Sequence, residues 1–269
     1  MKNNRKRNHK DRKKRFSNER VPNERIQDNR DDLIFGVNPV KEAIISGTSI
    51  KEIFLGSKDL IPSSMLKGIK VKIIDPQKLK KLYGDNTQNV VALIAPFEYT
   101  AIEDLLRGCA ERSTLVILDH ITDPHNLGAI IRSCDASGVD GIIIPDKRSA
   151  QINATVFKTS AGAVNHIRIA KVSNLINAIN LVKEKGFWVY GAEADGDSDL
   201  FETKVDGRVV VVMGSEGKGL SRLVRDNLDF VLNIPMAGNV NSLNVSVATA
   251  VILFEFFRKR IKNEEKARK

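Results

Sequence analysis

The stretch that decides the fold is Val209-Val210-Val211-Val212-Met213-Gly214-Ser215-Glu216-Gly217-Lys218-Gly219-Leu220-Ser221. Four consecutive valines and a methionine, without polar alternation, describe a strand buried on both faces, as in a parallel sheet. Three glycines then fall within six positions, Gly214 to Gly219, so the backbone after the strand can approach a ligand closely. This is not a phosphate-binding P-loop, because Gly219 is followed by Leu220 rather than by Lys and Ser or Thr. It also lacks the dinucleotide fingerprint, since Arg222 stands where the third glycine would be. A carboxylate at Glu216 is more than a turn requires.

Working outward, similar apolar runs recur at Leu115–Leu118, Gly141–Ile144, His166–Ala170, Phe187–Gly191 and Val231–Ile234. Helical patterns between or after them fall at Leu127–Ala136, Asn174–Lys185 and Leu243–Arg258. Strands alternating with helices predict an α/β unit with a parallel sheet from Ser113 onward. Ligands of such sheets bind beyond the carboxyl ends of the strands. Attention therefore falls on the loops after Leu118, Gly191, Met213 and Ile234.

Upstream, residues 32–97 predict a smaller α/β unit. Its strands are expected at Ile53–Leu55, Val71–Ile74 and Val90–Ala95, its helices at Pro39–Ile45 and Pro76–Tyr83. Asn38 before Pro39 is the expected N-cap of the first helix. Residues 98–112 form a connector with a short helix around Ile102–Cys109. The formal charge of +10 over 269 residues is unevenly placed. Residues 1–31 hold 12 basic and 5 acidic residues, the remainder 31 and 28. This basic, nearly apolar tail is expected to be disordered. Its charge alone suits RNA, DNA or an acidic membrane surface. No run reaches the roughly 20 apolar residues of a membrane span, and no apolar stretch follows the N-terminal charges as in a secretory signal. Cys109 and Cys134 have neither metal nor redox spacing and are expected as reduced structural thiols, which points to the cytoplasm.

Two further loops carry polar groups where a plain helix start needs none. In Asp119-His120-Ile121-Thr122-Asp123-Pro124-His125-Asn126-Leu127-Gly128, Asn126 is the expected cap of a helix that bears Arg132. Arg132, near a strand-end loop, is a candidate for contact with a phosphate or reacting oxygen. In Ile234-Pro235-Met236-Ala237-Gly238-Asn239-Val240-Asn241-Ser242-Leu243-Asn244-Val245-Ser246, Ser242 is the expected cap of the last helix. Asn241, Asn244 and Ser246 then need partners of their own. No metal site is expected, because His120 and His125 have no cysteine or acidic cluster at ligand spacing.

Together, Asn126-Leu127-Gly128 with Arg132, Met213–Gly217, and Asn241–Ser246 resemble the three motifs of the SpoU (TrmH-like) branch of the SPOUT RNA methyltransferases, in order and in spacing. The resemblance covers about residues 113–262, and residues 32–97 resemble the ribosomal-protein-like substrate-binding domain of some members. It implies a C-terminal trefoil-knotted parallel-sheet methyltransferase domain (113–269) behind a small α/β RNA-binding domain. It further implies S-adenosyl-L-methionine as cofactor, a homodimer paired through the methyltransferase domain, and no membrane. The expected reaction is methylation of a ribose 2′-hydroxyl, nearest to that of the 23S rRNA guanosine enzymes. Alternatives are a tRNA or resistance-type rRNA 2′-O-methyltransferase and, in another class, a non-catalytic RNA-binding ribosome-assembly protein. Carried over by position, Arg132, Asn126, Glu216, Ser242 and Asn244 are the catalytic set. Gly214, Ile234, Leu243, Met236, Glu193 and Ser246 are the cofactor set. An arginine stays protonated at any working pH, its pKa being about 12.5–13.8. Arg132 is therefore expected to clamp a phosphate, with Glu216 and Asn126 orienting it while Ser242 and Asn244 hold the loop and the ribose.

Overall fold

The computed structural model describes residues 32–267; the basic tail lies outside the described residues. Two sheets organise the chain. The first has the order β1-β4-β2-β3, built from β1 (Leu33–Phe35), β2 (Ile50–Leu55), β3 (Val71–Ile73) and β4 (Val90–Ile94). β2 and β3 run parallel, and β4 runs antiparallel to β1 and β2. Its apolar runs are continuous because both faces are covered. Ile53, Leu55, Val90 and Ala92 pack with Val40 of α1 (Val37–Ile45), while Phe54, Val91 and Leu93 pack with Leu79 of α2 (Pro76–Tyr83).

Helix α2 starts where expected, with Pro76 at its first position and Asp75 accepting from the Gln77 and Lys78 amides. Helix α1 does not. Its N-cap is Gly36 at φ 96°, so Asn38 lies inside the first turn rather than capping it. The Val37 amide is met instead by Gln88 Oε1 at 3.2 Å, a partner 51 residues away.

The second sheet has the order β7-β6-β5-β10-β8-β11-β9, with every pair parallel. Its strands are β5 (Thr114–Leu118), β6 (Gly141–Pro145), β7 (Arg168–Val172), β8 (Phe187–Ala192), β9 (Ser198–Asp199), β10 (Arg208–Met213) and β11 (Phe230–Asn233). Successive residues alternate between two covered faces. Val116, Leu118, Val209, Val211 and Met213 meet α4 (Pro124–Ala136), α5 (Ala154–Thr159) and α8 (Val245–Ala267). Leu115, Ile117, Val210 and Val212 meet α3 (Ile102–Arg107), α6 (Leu175–Glu184) and α7 (Arg222–Arg225). Strand β7 begins at Arg168 rather than His166, because His166 is still the C-cap of the 3-10 turn Ala163–Asn165. Helix α3 buries Leu105 and Leu106 in this second core, and Thr100 bridges to Ala170, so the expected connector packs as part of the larger sheet.

The two units touch. Asn165 donates to the Ser46 and Gly47 carbonyls at 3.3 Å each. At Gly162, φ 84°, an added Cβ would stand 2.8 Å from Ser46 O, so only glycine allows this approach. Cys109 and Cys134 are both buried and free, and burial raises both thiol pKa values. Among the described residues no helix is long and apolar enough to cross a membrane, and no cluster could hold a metal ion.

Candidate active site

Strand order reverses beside β5. The chain leaves β5 toward β6 and β7 on one side, while β10 lies on the other. The loops that follow β5 and β10 part there, the usual crevice of an open parallel sheet. The strand ends are tied at this point, the Asp119 amide donating to Met213 O at 2.8 Å. The Asp119 carboxylate, 1% exposed, accepts from the Ser221 amide at 2.7 Å and contacts His120 Nδ1 at 2.5 Å. It thus pins the far end of the glycine loop to the end of β5.

The loop itself is tightly closed. An added Cβ on Gly214 would meet the backbone of Gly219 and Leu220 at 2.2–2.4 Å, and Ser215 and Gly219 exchange both backbone hydrogen bonds at 3.0 Å. Glu193, at the end of β8, supports it from below. One oxygen accepts from the Leu220 amide at 3.2 Å, and the other is 2.7 Å from Arg225 of α7. The hydrogen bond it donates to Asp195, with the charges of Glu193 and Asp195, pushes the Arg225 pKa above the ordinary guanidinium value.

The three motif segments meet at Asn244. Its Nδ2 donates to Asn126 Oδ1 at 3.1 Å and to Glu216 Oε1 at 2.6 Å. Its Oδ1 accepts from the amide and hydroxyl of Ser246, at 2.9 and 2.6 Å. Asn244 therefore fills the capping role expected of Ser242, which is exposed and sits ahead of α8. Likewise Asp123 caps α4 through the His125 amide, with Pro124 at the first helical position, and Asn126 is inside the helix. The correction matters, because a capping Asn126 would turn its amide to the backbone rather than to Asn244.

Arg132 is exposed on α4. Asn126 and Glu216 are joined to each other through Asn244, and among the described residues no hydrogen bond links either to Arg132. The structure thus gathers Asn126, Glu216, Asn244 and Ser246 and leaves Arg132 apart. Asn126 and Glu216 line a cleft of about 460 Å³ together with Asp119, His120, Arg148, Lys218, Ser221 and Val245, the residue between Asn244 and Ser246. Asp119, Ser221 and Arg148 escaped the sequence analysis. Asp119 carried a signal, a carboxylate at a strand end; Arg148 lies after β6, a loop not singled out.

Gly214, Glu193 and Ile234 follow the ends of β10, β8 and β11, which are neighbours with Met213, Ala192 and Leu232 in one row. Asn233 Oδ1 beside them is buried and accepts no hydrogen bond. Met236 and Leu243, each 37% exposed, supply apolar surface. An unmet acceptor, backbone edges of three strands and apolar side chains fit an adenosyl group: donors of an adenine edge and a flat apolar ring. Glu193 is spoken for by Leu220 and Arg225, so it positions the loop.

Comparison with known proteins agrees with this geometry. Residues 113–254 match the SpoU rRNA Methylase family, and residues 33–100 match the domain described as RNA 2'-O ribose methyltransferase substrate binding. A protein of Staphylococcus haemolyticus assigned to the TrmH family of tRNA/rRNA methyltransferases is 43% identical over 240 residues, 86% of this chain and 96% of that one. The SpoU methyltransferase AviRb of Streptomyces viridochromogenes, solved with S-adenosylmethionine, superposes with a TM-score of 0.70 at 26% identity, over 85% of this chain and 90% of that one. An S-adenosylmethionine-bound rRNA methyltransferase of Sinorhizobium meliloti gives 0.65 at 28% identity, over 84% and 86%. Fold, site and relatives define an S-adenosylmethionine-dependent RNA methyltransferase. The chain belongs to the SpoU methylase family.

Proposed function

We propose that this enzyme methylates the ribose 2′-hydroxyl of a guanosine in 23S rRNA, as a homodimer in the cytoplasm. The observation that carries the ribose assignment is the Asn126–Asn244–Glu216 junction, beside a cleft at the β5/β10 switch point. Residues 32–97 would bind RNA with the tail 1–31, residues 98–112 would join the two units, and residues 113–269 would carry the reaction. The match of residues 33–100 to a 2'-O ribose methyltransferase substrate-binding domain supports that division.

S-adenosylmethionine, when bound, supplies an electrophilic methyl on a sulfonium, whose charge is cancelled as the methyl leaves. The protein's work is then chiefly alignment of the hydroxyl with that methyl. Gly214, Ile234, Met236, Leu243 and Ser246 would hold the donor. Asn126, Glu216 and Asn244 would fix the junction against which the ribose lies, with Ser242 exposed at its entrance. Arg132 on α4, which has no ion pair among the described residues, would clamp a phosphate beside the target and ease proton loss from the 2′-hydroxyl. In the knotted path of the family, Ser221 and Asn244 would reach Asp119 and Asn126, to which they are hydrogen-bonded.

Support for the dimer lies on α8. Val247, Phe254, Phe257 and Ile261 are 41–49% exposed at spacings of seven, three and four, which places them in one apolar stripe. Sedimentation should give a dimer that Phe254→Glu shifts toward monomer. The function is tested by calorimetric titration with S-adenosylmethionine and by mapping ribose methyl groups on rRNA and tRNA from cells lacking the gene. Loss of one 23S rRNA guanosine methyl group is expected. A missing tRNA methyl group with intact rRNA would move the substrate to tRNA, and no binding of the donor would favour an inert assembly protein.

A further inference from the structure

We propose that Arg148 binds a phosphodiester of the RNA in the cleft beside the reacting ribose, an assignment that rests on the RNA-methyltransfer reading above. The argument begins with backbone. Arg148 has φ 56°, in the left-handed region that a long side chain seldom occupies. It is held there from both sides. Asp146 N donates to Val172 O at 2.9 Å, Ala150 N to Ile121 O at 2.7 Å, and Ser149 Oγ to the same Ile121 carbonyl at 3.1 Å. Gln151 Nε2 closes the turn on Pro145 O at 3.1 Å. Among the described residues, five non-glycine positions have positive φ, and two of them, His120 and Arg148, line this one cleft. Strain held by surrounding bonds concentrates where a side chain must be aimed.

The electrostatics point the same way. Every carboxylate of the cleft is already occupied: Asp119 by Ser221 N and His120, Asp123 by the His125 amide, Glu216 by Asn244. Arg148 and Lys218, by contrast, have neither ion pair nor hydrogen bond among the described residues. The carboxylates keep their charge but are turned onto these protein donors, whereas the Arg148 guanidinium has no such partner and is left to meet an anion, its fork matching phosphate oxygens. Two anions could enter the cleft, an RNA phosphate or the carboxylate of the methyl donor. The structure favours the phosphate. Arg148 follows β6, on the far side of β5 from the β10, β8 and β11 ends assigned to the donor.

The test uses the full chain with Arg148→Gly, Arg148→Gln and Arg148→Lys. The glycine variant suits a φ of 56° and should fold at least as well as the parent. Affinity for an unmodified 23S rRNA transcript is measured against KCl concentration, and S-adenosylmethionine affinity by calorimetry. The glycine and glutamine variants should bind RNA roughly tenfold more weakly or worse. The slope of log K against log salt should fall by about 0.7–0.9, one phosphate contact, with donor affinity unchanged. Arg148→Lys should keep the slope but lose turnover, since a point charge replaces the fork. RNA affinity lost with the parent's slope, or donor affinity lost instead, would overturn the assignment while leaving the enzyme reading intact. A parent chain with no affinity for RNA would overturn both.

Discussion

Asn244→Asp isolates the junction that joins the three motif segments. The substitution keeps Oδ1, which accepts from Ser246 N at 2.9 Å, so the start of α8 stays capped. It replaces Nδ2, the donor to Glu216 Oε1 at 2.6 Å and Asn126 Oδ1 at 3.1 Å, by an acceptor facing two acceptors. A hydrogen bond to a charged group contributes about 1.5–3 kcal/mol where it is buried. Both Asn244 and Glu216 are exposed, so about 1 kcal/mol is the apt figure here. Two carboxylates roughly 3 Å apart in a water-like dielectric add about 1.4 kcal/mol of repulsion. The variant should lose about 2–3 kcal/mol in urea unfolding. Glu216→Gln placed on top removes one charge and restores a donor with the direction of the bond reversed. The double variant should regain at least half of the loss. A double variant no more stable than Asn244→Asp alone, at unchanged m-value, would refute the junction as drawn.

Arg132→Lys should bind S-adenosylmethionine normally and lose most of its single-turnover methyl transfer, because an ammonium cannot reproduce a bidentate phosphate contact; full activity in Arg132→Ala would remove the residue from the mechanism. Gly128→Ala places a Cβ 1.8 Å from Thr159 Oγ1 and 3.0 Å from the Ser160 amide, where α4 crosses α5, and should cost about 1–3 kcal/mol in thermal unfolding. Glu255 is 8% exposed, and the hydrogen bond from Arg258, outweighing burial, holds its pKa below the ordinary 4.5. A folded-state pKa below the unfolded one gives stability that is present above about 4.5 and fades as pH falls through the folded value. Glu255→Gln should therefore be less stable than the parent near pH 7, with the gap closing below pH 4.5; a gap constant from pH 7 to 3 would contradict it.

The parallel sheet was legible because runs such as Val209–Met213 have no exposed face to hide, so their apolar character is unbroken. β1 and β9 were not, since three and two residues carry too little pattern to separate them from loop. Three caps were misplaced for one reason. At Asn38, Asn126 and Ser242 a polar side chain stood near a helix start, but the cap is fixed by which residue leaves the helical conformation. Gly36, Asp123 and Asn244 do so, and Pro124 after Asp123 was the available signal. The grouping of Asn126, Glu216 and Asn244 was legible only as shared motifs; that one amide joins them depends on contacts 118 and 28 residues apart. Arg148 was hidden because no residue type announces an arginine in the left-handed region.

The most direct measurement is nucleoside analysis of 23S rRNA from cells lacking the gene, incubated with the full chain and methyl-labelled S-adenosylmethionine. After digestion to nucleosides, mass spectrometry should find the label on ribose, as 2′-O-methylguanosine and nowhere else. Label on a base, or none in RNA while the donor still binds, would contradict the account.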